Sequence, residues 1–133
     1  MKYSKATNYA LHTMLYLIAV AVDRPVGVQQ LAEKQGVSPT YLSKILTKLV
    51  KAGLIESASG ANGGYRVKGR KEDISFLDVI HAIEGTTSLF ECCESENPHC
   101  LINHVMVAAE EDMERHLKNA KLADLAKQAG LSL

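Results

Sequence analysis

The sequence carries no net charge: fifteen Lys and Arg balance fifteen Asp and Glu, with histidine neutral. Taken alone, that balance argues against a polyanion as partner. Nor is there an apolar run long enough to span a bilayer. The apolar stretch LHTMLYLIAVAV is twelve residues long and gives way to Asp23-Arg24-Pro25, whereas a spanning helix needs about twenty. A cationic start before an apolar run faintly mimics a signal peptide. However, Asn8, Tyr9 and His12 fall between that start and the body of the run, and no small-residue cleavage site follows. The expectation is a cytoplasmic protein with no membrane partner. Cysteine is scarce. The three residues are an odd number, all between 92 and 100, which does not match the framework of a secreted disulfide domain. No Ser-His-Asp set, paired catalytic carboxylates or cofactor motif is present, so an enzyme is not expected.

What is present is unevenly distributed. Hydrophobic residues make up 47% of the 133, ordinary for a folded chain of one domain with a core, or one small domain plus an oligomerisation element. Residues 1–70 hold ten basic and three acidic residues; residues 71–133 hold five basic and twelve acidic. A neutral total therefore conceals a half at +7 and a half at −7. Such asymmetry points to a polyanion-binding end and a solvated or partner-binding end.

Residues 5–22 are apolar nearly all round, the mark of a central buried helix. Pro25 and Gly27 break it. VQQLAEKQ then forms a short helix with Val28, Leu31 and Ala32 on one face, closed by Gly36. A second helix follows, with Ser38 as N-cap, Pro39 at the first helical position and Gly53 at the close. Its apolar stripe is Leu42, Ile45, Leu46, Leu49 and Val50. Two helices around a Gly-containing turn make a helix-turn-helix pattern. On the other face of the second helix, Thr40, Lys44, Thr47, Lys48 and Lys51 present cations and hydroxyls without a carboxylate. An ordinary solvated face mixes signs to gain i,i+4 pairs; this one suits a recognition helix, whose N-terminal turn enters the major groove.

LIES and YRVK flank ASGANGG, a β-hairpin with a glycine-rich tip and a basic return strand. The tip lacks the Lys-Ser/Thr of a phosphate-binding loop and does not open onto a helix. A hairpin after a helix-turn-helix is a wing. A helix capped by Ser75, with Asp78 three residues on, then runs to Gly85 with Ile74, Leu77, Ile80, His81 and Ile83 on its apolar side; His81 reads as a packed histidine. Residues 86–100 have no periodic pattern, which is long for a connection. A helix of about 28 Å spans Leu101 to Asn119, its stripe being Ile102, Val105, Met106, Ala109, Met113 and Leu117. Such a narrow seam on so long a helix predicts pairing with a twin, and a short C-terminal helix follows. The expected architecture is mainly α with a small β-hairpin wing. A winged helix-turn-helix domain covers 1–85, a cysteine-containing loop 86–100, and a dimerisation helix plus C-terminal helix 101–133.

The order of YSKATNYALHTM, LAEKQGVSPTYLSKILTKLVKAGLI, GANGGYRV and DISFLDVIHAIEG, then a cysteine loop and a long helix, resembles the Rrf2 family of bacterial winged-helix transcription regulators along essentially the whole chain. The resemblance implies a homodimer paired through the long helix on a palindromic operator of double-stranded DNA, often as a repressor. It also implies a recognition helix in the major groove and a wing tip in the minor groove. By it, Ser38, Thr40, Tyr41, Ser43, Lys44 and Lys48 are candidate DNA contacts, with Asn62 and Arg66 in the wing and Lys2 and Tyr3 at the start. Many relatives carry an arginine before the first wing glycine; here Ser59 stands there.

Some branches of that family hold an iron–sulfur cluster on three cysteines in this region. Cys92 and Cys100 fit two of the positions, and Met106 occupies the third. A thioether is a poor substitute for a thiolate ligand. Read from the residues themselves, Cys92, Cys93, Cys100 and His104 supply donors suited to zinc. Equally, Cys100 beside His99 is a candidate for oxidant or electrophile sensing with Cys92 or Cys93 as resolving partner, although Glu91, Glu94 and Glu96 disfavour a thiolate. The cofactor therefore stays open between a cluster, zinc and none. A small-molecule effector in a cavity between the DNA-binding end and the long helix is a further option. The rival to a DNA-binding regulator is a protein-interaction module whose helix-turn-helix no longer meets DNA.

Overall fold

In a computed structural model that describes residues 3–20, 24–90 and 100–130, the chain runs α1 (Lys5–Ala19), α2 (Val28–Gln35), α3 (Pro39–Lys51), β1 (Ile55–Ala58), β2 (Gly64–Val67), a single 3-10 turn (Lys71–Asp73), α4 (Phe76–Glu84), α5 (Leu101–Asn119) and α6 (Leu122–Gln128). The 3-10 turn had no signal in the sequence pattern.

Helix α1 lies at the centre, burying Ala10, Met14, Leu17 and Ile18 against α3, α4 and α6. It ends three residues short of the expected Val22: Val20, β-branched and close ahead of Pro25, takes extended geometry. Thr13 is fully buried and accepts from Gln35 Nε2 at 2.6 Å, tying α1 to α2. Lys34 also sits over the Tyr16 ring, 4.5 Å from its centroid.

The turn between α2 and α3 forms as the punctuation requires. Gly36 adopts φ 67°, a left-handed conformation that costs a glycine little, and its N–H bonds to Ala32 O and Glu33 O. Ser38 Oγ then accepts from Tyr41 N at 3.1 Å, capping α3 with Pro39 at its first position. Helix α3 buries Leu42, Ile45, Leu46 and Leu49, a gross stabilisation on the order of 10 kcal/mol, most of it offset by chain ordering. Val50, expected in that stripe, is 36% exposed, because a further 100° of helical rotation carries it off the core face.

In the hairpin, Ile55 pairs with Val67 and Ala58 with Gly64. The strands thus reach one residue nearer the tip than expected, leaving 59–63 as the turn, with Gly63 N bonded to Gly60 O at 3.0 Å. A third rung joins them. Val26 and Tyr65 exchange two backbone bonds of 2.8 Å, so the segment before α2 becomes an extra edge of the wing. This explains the Gly63-Gly64 pair. A Cβ on Gly63 would collide with the Ala58 carbonyl oxygen, and one on Gly64, at φ +148°, would lie 2.5 Å from Val26 O.

Helix α4 begins with a complete capping box: Asp78 N donates to Ser75 Oγ and Ser75 N to Asp78 Oδ2, both at 3.0 Å. Its buried residues are Val79, Ile80 and Ile83; Leu77 is only half-buried and Val79 takes the core position expected for it. Phe76 N donates to Ala120 O and Leu122 N to Ile74 O, fastening the α5–α6 junction to the start of α4. Helix α6 then buries Leu122, Ala123 and Ala126. By contrast α5 has no buried residue. Among the described residues no helix is long and apolar enough to cross a membrane.

Candidate nucleic-acid interface

Four side chains of α3 face the core, so the opposite face is defined by default. Thr40, Lys44, Thr47, Lys48 and Lys51 are all exposed there, and none is in a salt bridge among the described residues. Thr47 Oγ1 donates to Ser43 O at 2.9 Å, which spends that hydroxyl on the helix itself. Ser38 Oγ is likewise engaged as the cap acceptor, and its own proton remains to donate. Tyr41 is 38% exposed, its ring edge-on to Tyr9 of α1 at 5.8 Å, so its orientation is fixed by packing. Ser43 is half-buried.

In the wing, Asn62 is exposed at the tip. Arg66 is committed elsewhere: its Nε lies 3.0 Å from Glu56 Oε1, directly across the hairpin. Both side chains are over 40% exposed, so the pair contributes at most about 1 kcal/mol, and Arg66 arrives at any phosphate already partly neutralised. Sequence spacing could not reveal this, because the partner follows from strand register.

Tyr3 lies against α5. Its hydroxyl is 4.0 Å from Met113 Sδ of α5. Burial, then the charges of Glu84, Glu114 and Glu110, raise its phenol above the ordinary value of 10.0. Three carboxylates around it make a poor setting for a phosphate, so this geometry lends Tyr3 no support as a DNA contact. Lys2 lies outside the described residues.

The residue that the sequence did not disclose is Glu84. Its Oε2 accepts from Thr7 Oγ1 at 2.6 Å, Ser4 N at 2.7 Å and Ser4 Oγ at 3.0 Å. A carboxylate from the end of α4 thus caps the N-terminus of α1, where the helix dipole also favours negative charge. The Thr7 bond foremost, with those from Ser4 and the charge of Lys48, holds the Glu84 carboxyl below its ordinary 4.5 against a burial effect of opposite sign. Glu84 therefore ties the end of α4 to the start of the central helix.

At the other end, Cys100 occupies the N-cap of α5, half-buried, a free thiol that makes no side-chain cap bond. Cys92 and Cys93 lie outside the described residues. Just beyond Cys100, Leu101, Ile102 and Val105 are 78%, 68% and 67% exposed and Met106 39%. Ala109 is exposed, whereas Met113 and Leu117 are half-buried on the side packed towards α4. The expected seam is thus divided: its first half is open and its second half partly used within the chain. Leu101, absent from the expected seam, is its most exposed member.

A profile of the Rrf2 family, described as iron-dependent transcriptional regulators, matches residues 3–128. The chain belongs to the Rrf2 family. It is 36% identical over 137 residues to the protein rrf2 of Nitratidesulfovibrio vulgaris, covering 98% of this chain and 91% of that one. Among solved structures, CymR of B. subtilis, the global cysteine regulator, superposes with a TM-score of 0.77 at 30% identity, covering 96% of this chain and 98% of its own. The oxidized form of Staphylococcus aureus CymR gives 0.77 at 32%, covering 95% and 96%. As in these Rrf2 relatives, the fold is a winged helix serving a DNA-binding transcriptional regulator, not an enzyme.

The family description names iron, and the donors here can be compared with it. By the resemblance described above, Met106 takes the position of the third cluster cysteine, and it is exposed on α5. Among the described residues no group of three or more His, Cys, Asp or Glu is placed to hold a metal ion. A thioether in a set of hard-to-replace thiolates does not fit a three-cysteine cluster site. The Cys92–Cys100–His104 set for zinc falls partly outside the described residues.

Proposed function

We propose that this protein is a homodimeric repressor that binds a two-fold operator, with α3 in the major groove, the wing tip at the adjacent minor groove, and occupancy set by the segment from residue 90 to 106. The observation that carries the reading is the α3 face: three exposed lysines and two threonines, no carboxylate, on a helix whose entry is fixed by Ser38 and whose other side is locked in the core. Lys44, Lys48, Thr40 and Tyr41 are assigned to DNA, and Asn62 to the wing contact. Arg66 contributes only by exchanging Glu56 for phosphate.

The open apolar patch at the start of α5 supports pairing with a second copy. Burying Leu101, Ile102 and Val105 on both protomers contributes on the order of 10 kcal/mol, using ~1.5–3 kcal/mol per side chain, which is comparable to the cost of association. Cys100 sits at the head of that patch. In the thiol reading, a peroxide oxidises Cys100 to the sulfenic acid, which condenses with Cys92 or Cys93 into a disulfide and releases water. The new bond would re-aim the N-terminal turns of α5 and so the two reading heads; the oxidized CymR relative favours this over a cluster.

The test is a footprint on the DNA upstream of the protein's own coding region, with sedimentation of the same sample. The expected result is a dimer protecting two half-sites about 10 base pairs apart, centre to centre, or a multiple of that. A monomer, or no protection at low salt, would overturn the proposal.

A further inference from the structure

From residue 34 to residue 71, eight side chains are basic and one is acidic, Glu56. That single carboxylate stands in the wing. In the hairpin ladder Ile55 faces Val67 and both are buried, so the next pair along, Glu56 and Arg66, turns to the outer side. Arg66 Nε donates to Glu56 Oε1 at 3.0 Å. Both side chains stay more than 40% exposed, so the bond holds nothing in the core. Arg66 also lines a shallow recess at the base of the wing together with Arg24 and Lys71, and exposed Lys68 follows directly after its strand. The stem of the wing is thus a basic flank that carries one neutralising group.

An exposed pair of this kind adds little to the stability of the fold. Its consequence lies in what Arg66 can do next. A cation that meets a phosphate releases a condensed counterion, and affinity for DNA of any sequence rises with each such contact. A guanidinium already facing a carboxylate is half of a neutral pair. To reach a phosphate it must leave Glu56 unpaired beside a second anion, and the exchange gains little.

We infer that Glu56 is a positioning residue that withholds Arg66 from the phosphate backbone and so lowers affinity for DNA of every sequence. This assignment rests on the DNA-binding reading. The recognition helix and the wing tip keep their contacts, whereas the stem of the wing is kept from adding a grip that cannot tell one sequence from another.

The experiment compares the full chain with Glu56→Gln, Glu56→Gln/Arg66→Gln and Glu72→Gln. Each is titrated by fluorescence anisotropy, across a salt series, against the duplex upstream of the coding region and a scrambled duplex of equal length. Glu56→Gln should steepen the slope of log K against log salt by about 1.8 in the proposed dimer, one new phosphate contact per protomer. It should tighten both duplexes by a similar factor, on the order of tenfold at low salt, from up to about fivefold per freed cation. Adding Arg66→Gln should return the slope to that of the parent. Glu72, exposed in the 3-10 turn after the wing, controls for the loss of any carboxylate, and its variant should keep the parent slope. A pair that merely braced the hairpin would alter stability and leave the slope alone. An unchanged slope in Glu56→Gln, equal steepening in Glu72→Gln, a steep slope persisting in the double variant, or tightening confined to the upstream duplex would each overturn the inference. No binding of either duplex by any of the four proteins would overturn the DNA-binding reading and this inference with it; binding without those differences overturns this inference alone.

Discussion

Removing one lysine from α3 should change the salt dependence of DNA binding by a calculable amount. Lys44, Lys48 and Lys51 are exposed on the carboxylate-free face. If each meets a phosphate, a dimer neutralises about six charges, and counterion release gives log K against log salt a slope of about −5.4. Between 50 and 200 mM salt that is a loss in affinity on the order of 10³-fold. Lys44→Ala removes one contact per protomer, so the slope should fall to about −3.6 and the loss over the same range to on the order of 10²-fold. Lys48 should report less than Lys44, because Glu84 already offsets part of its charge. Fluorescence anisotropy with the upstream duplex across a salt series measures both slopes. An unchanged slope for Lys44→Ala would refute the placement of α3 on the phosphates, whatever happened to affinity at a single salt concentration.

Gly64→Ala should lower stability by about 3 kcal/mol in urea unfolding, from backbone strain plus the two bonds of the Val26–Tyr65 rung; a midpoint within error of the parent would show that the rung is dispensable. Val105→Asp, placing charge in the open apolar patch, should shift the sample to monomer by sedimentation and leave thermal unfolding of the protomer nearly unchanged. Glu84→Gln should remove a pH-dependent contribution. The folded-state carboxyl lies below 4.5, so the stabilisation is present above that pH and lost as pH falls through the depressed value. The stability difference between parent and variant should therefore shrink on acidification, and a difference constant between pH 7 and 3 would contradict it.

The parts of this fold that could be read from the sequence are those whose causes are local. Gly36, Ser38, Pro39 and Gly53 punctuate α2 and α3 so strongly that both boundaries of α3 follow, and Ser75 with Asp78 announces the start of α4 in the same way. The exposed, carboxylate-free face of α3 follows from period alone. What escaped depends on distant partners. Val26 pairs through one rung, too little to imprint a strand pattern on DRPVG. Glu84 acts on residues about eighty positions away, and an exposed glutamate at a helix end has no distinguishing neighbourhood in sequence. Arg66 looked available because its partner Glu56 is set by hairpin register. The long helix was read as one seam, whereas packing against α4 uses Met113 and Leu117 and leaves the N-terminal half open.

The attachment of α5 has a mechanical consequence. Its C-terminal end is clamped by the two backbone bonds between residues 74–76 and 120–122, at 3.0 and 3.1 Å. Its N-terminal end carries the apolar patch outward. The open N-terminal half of α5 is thus a cantilever of about 15 Å, and a tilt of about 5° at its root displaces the far end by about 1 Å. In the proposed dimer two such beams meet at their tips, so the separation of the reading heads is gauged by stiff levers rather than by a pliable linker. An inserted base pair moves one half-site by about 3.4 Å along the duplex and rotates it as well. That is more than a small tilt recovers, and the dimer acts as a ruler for half-site spacing.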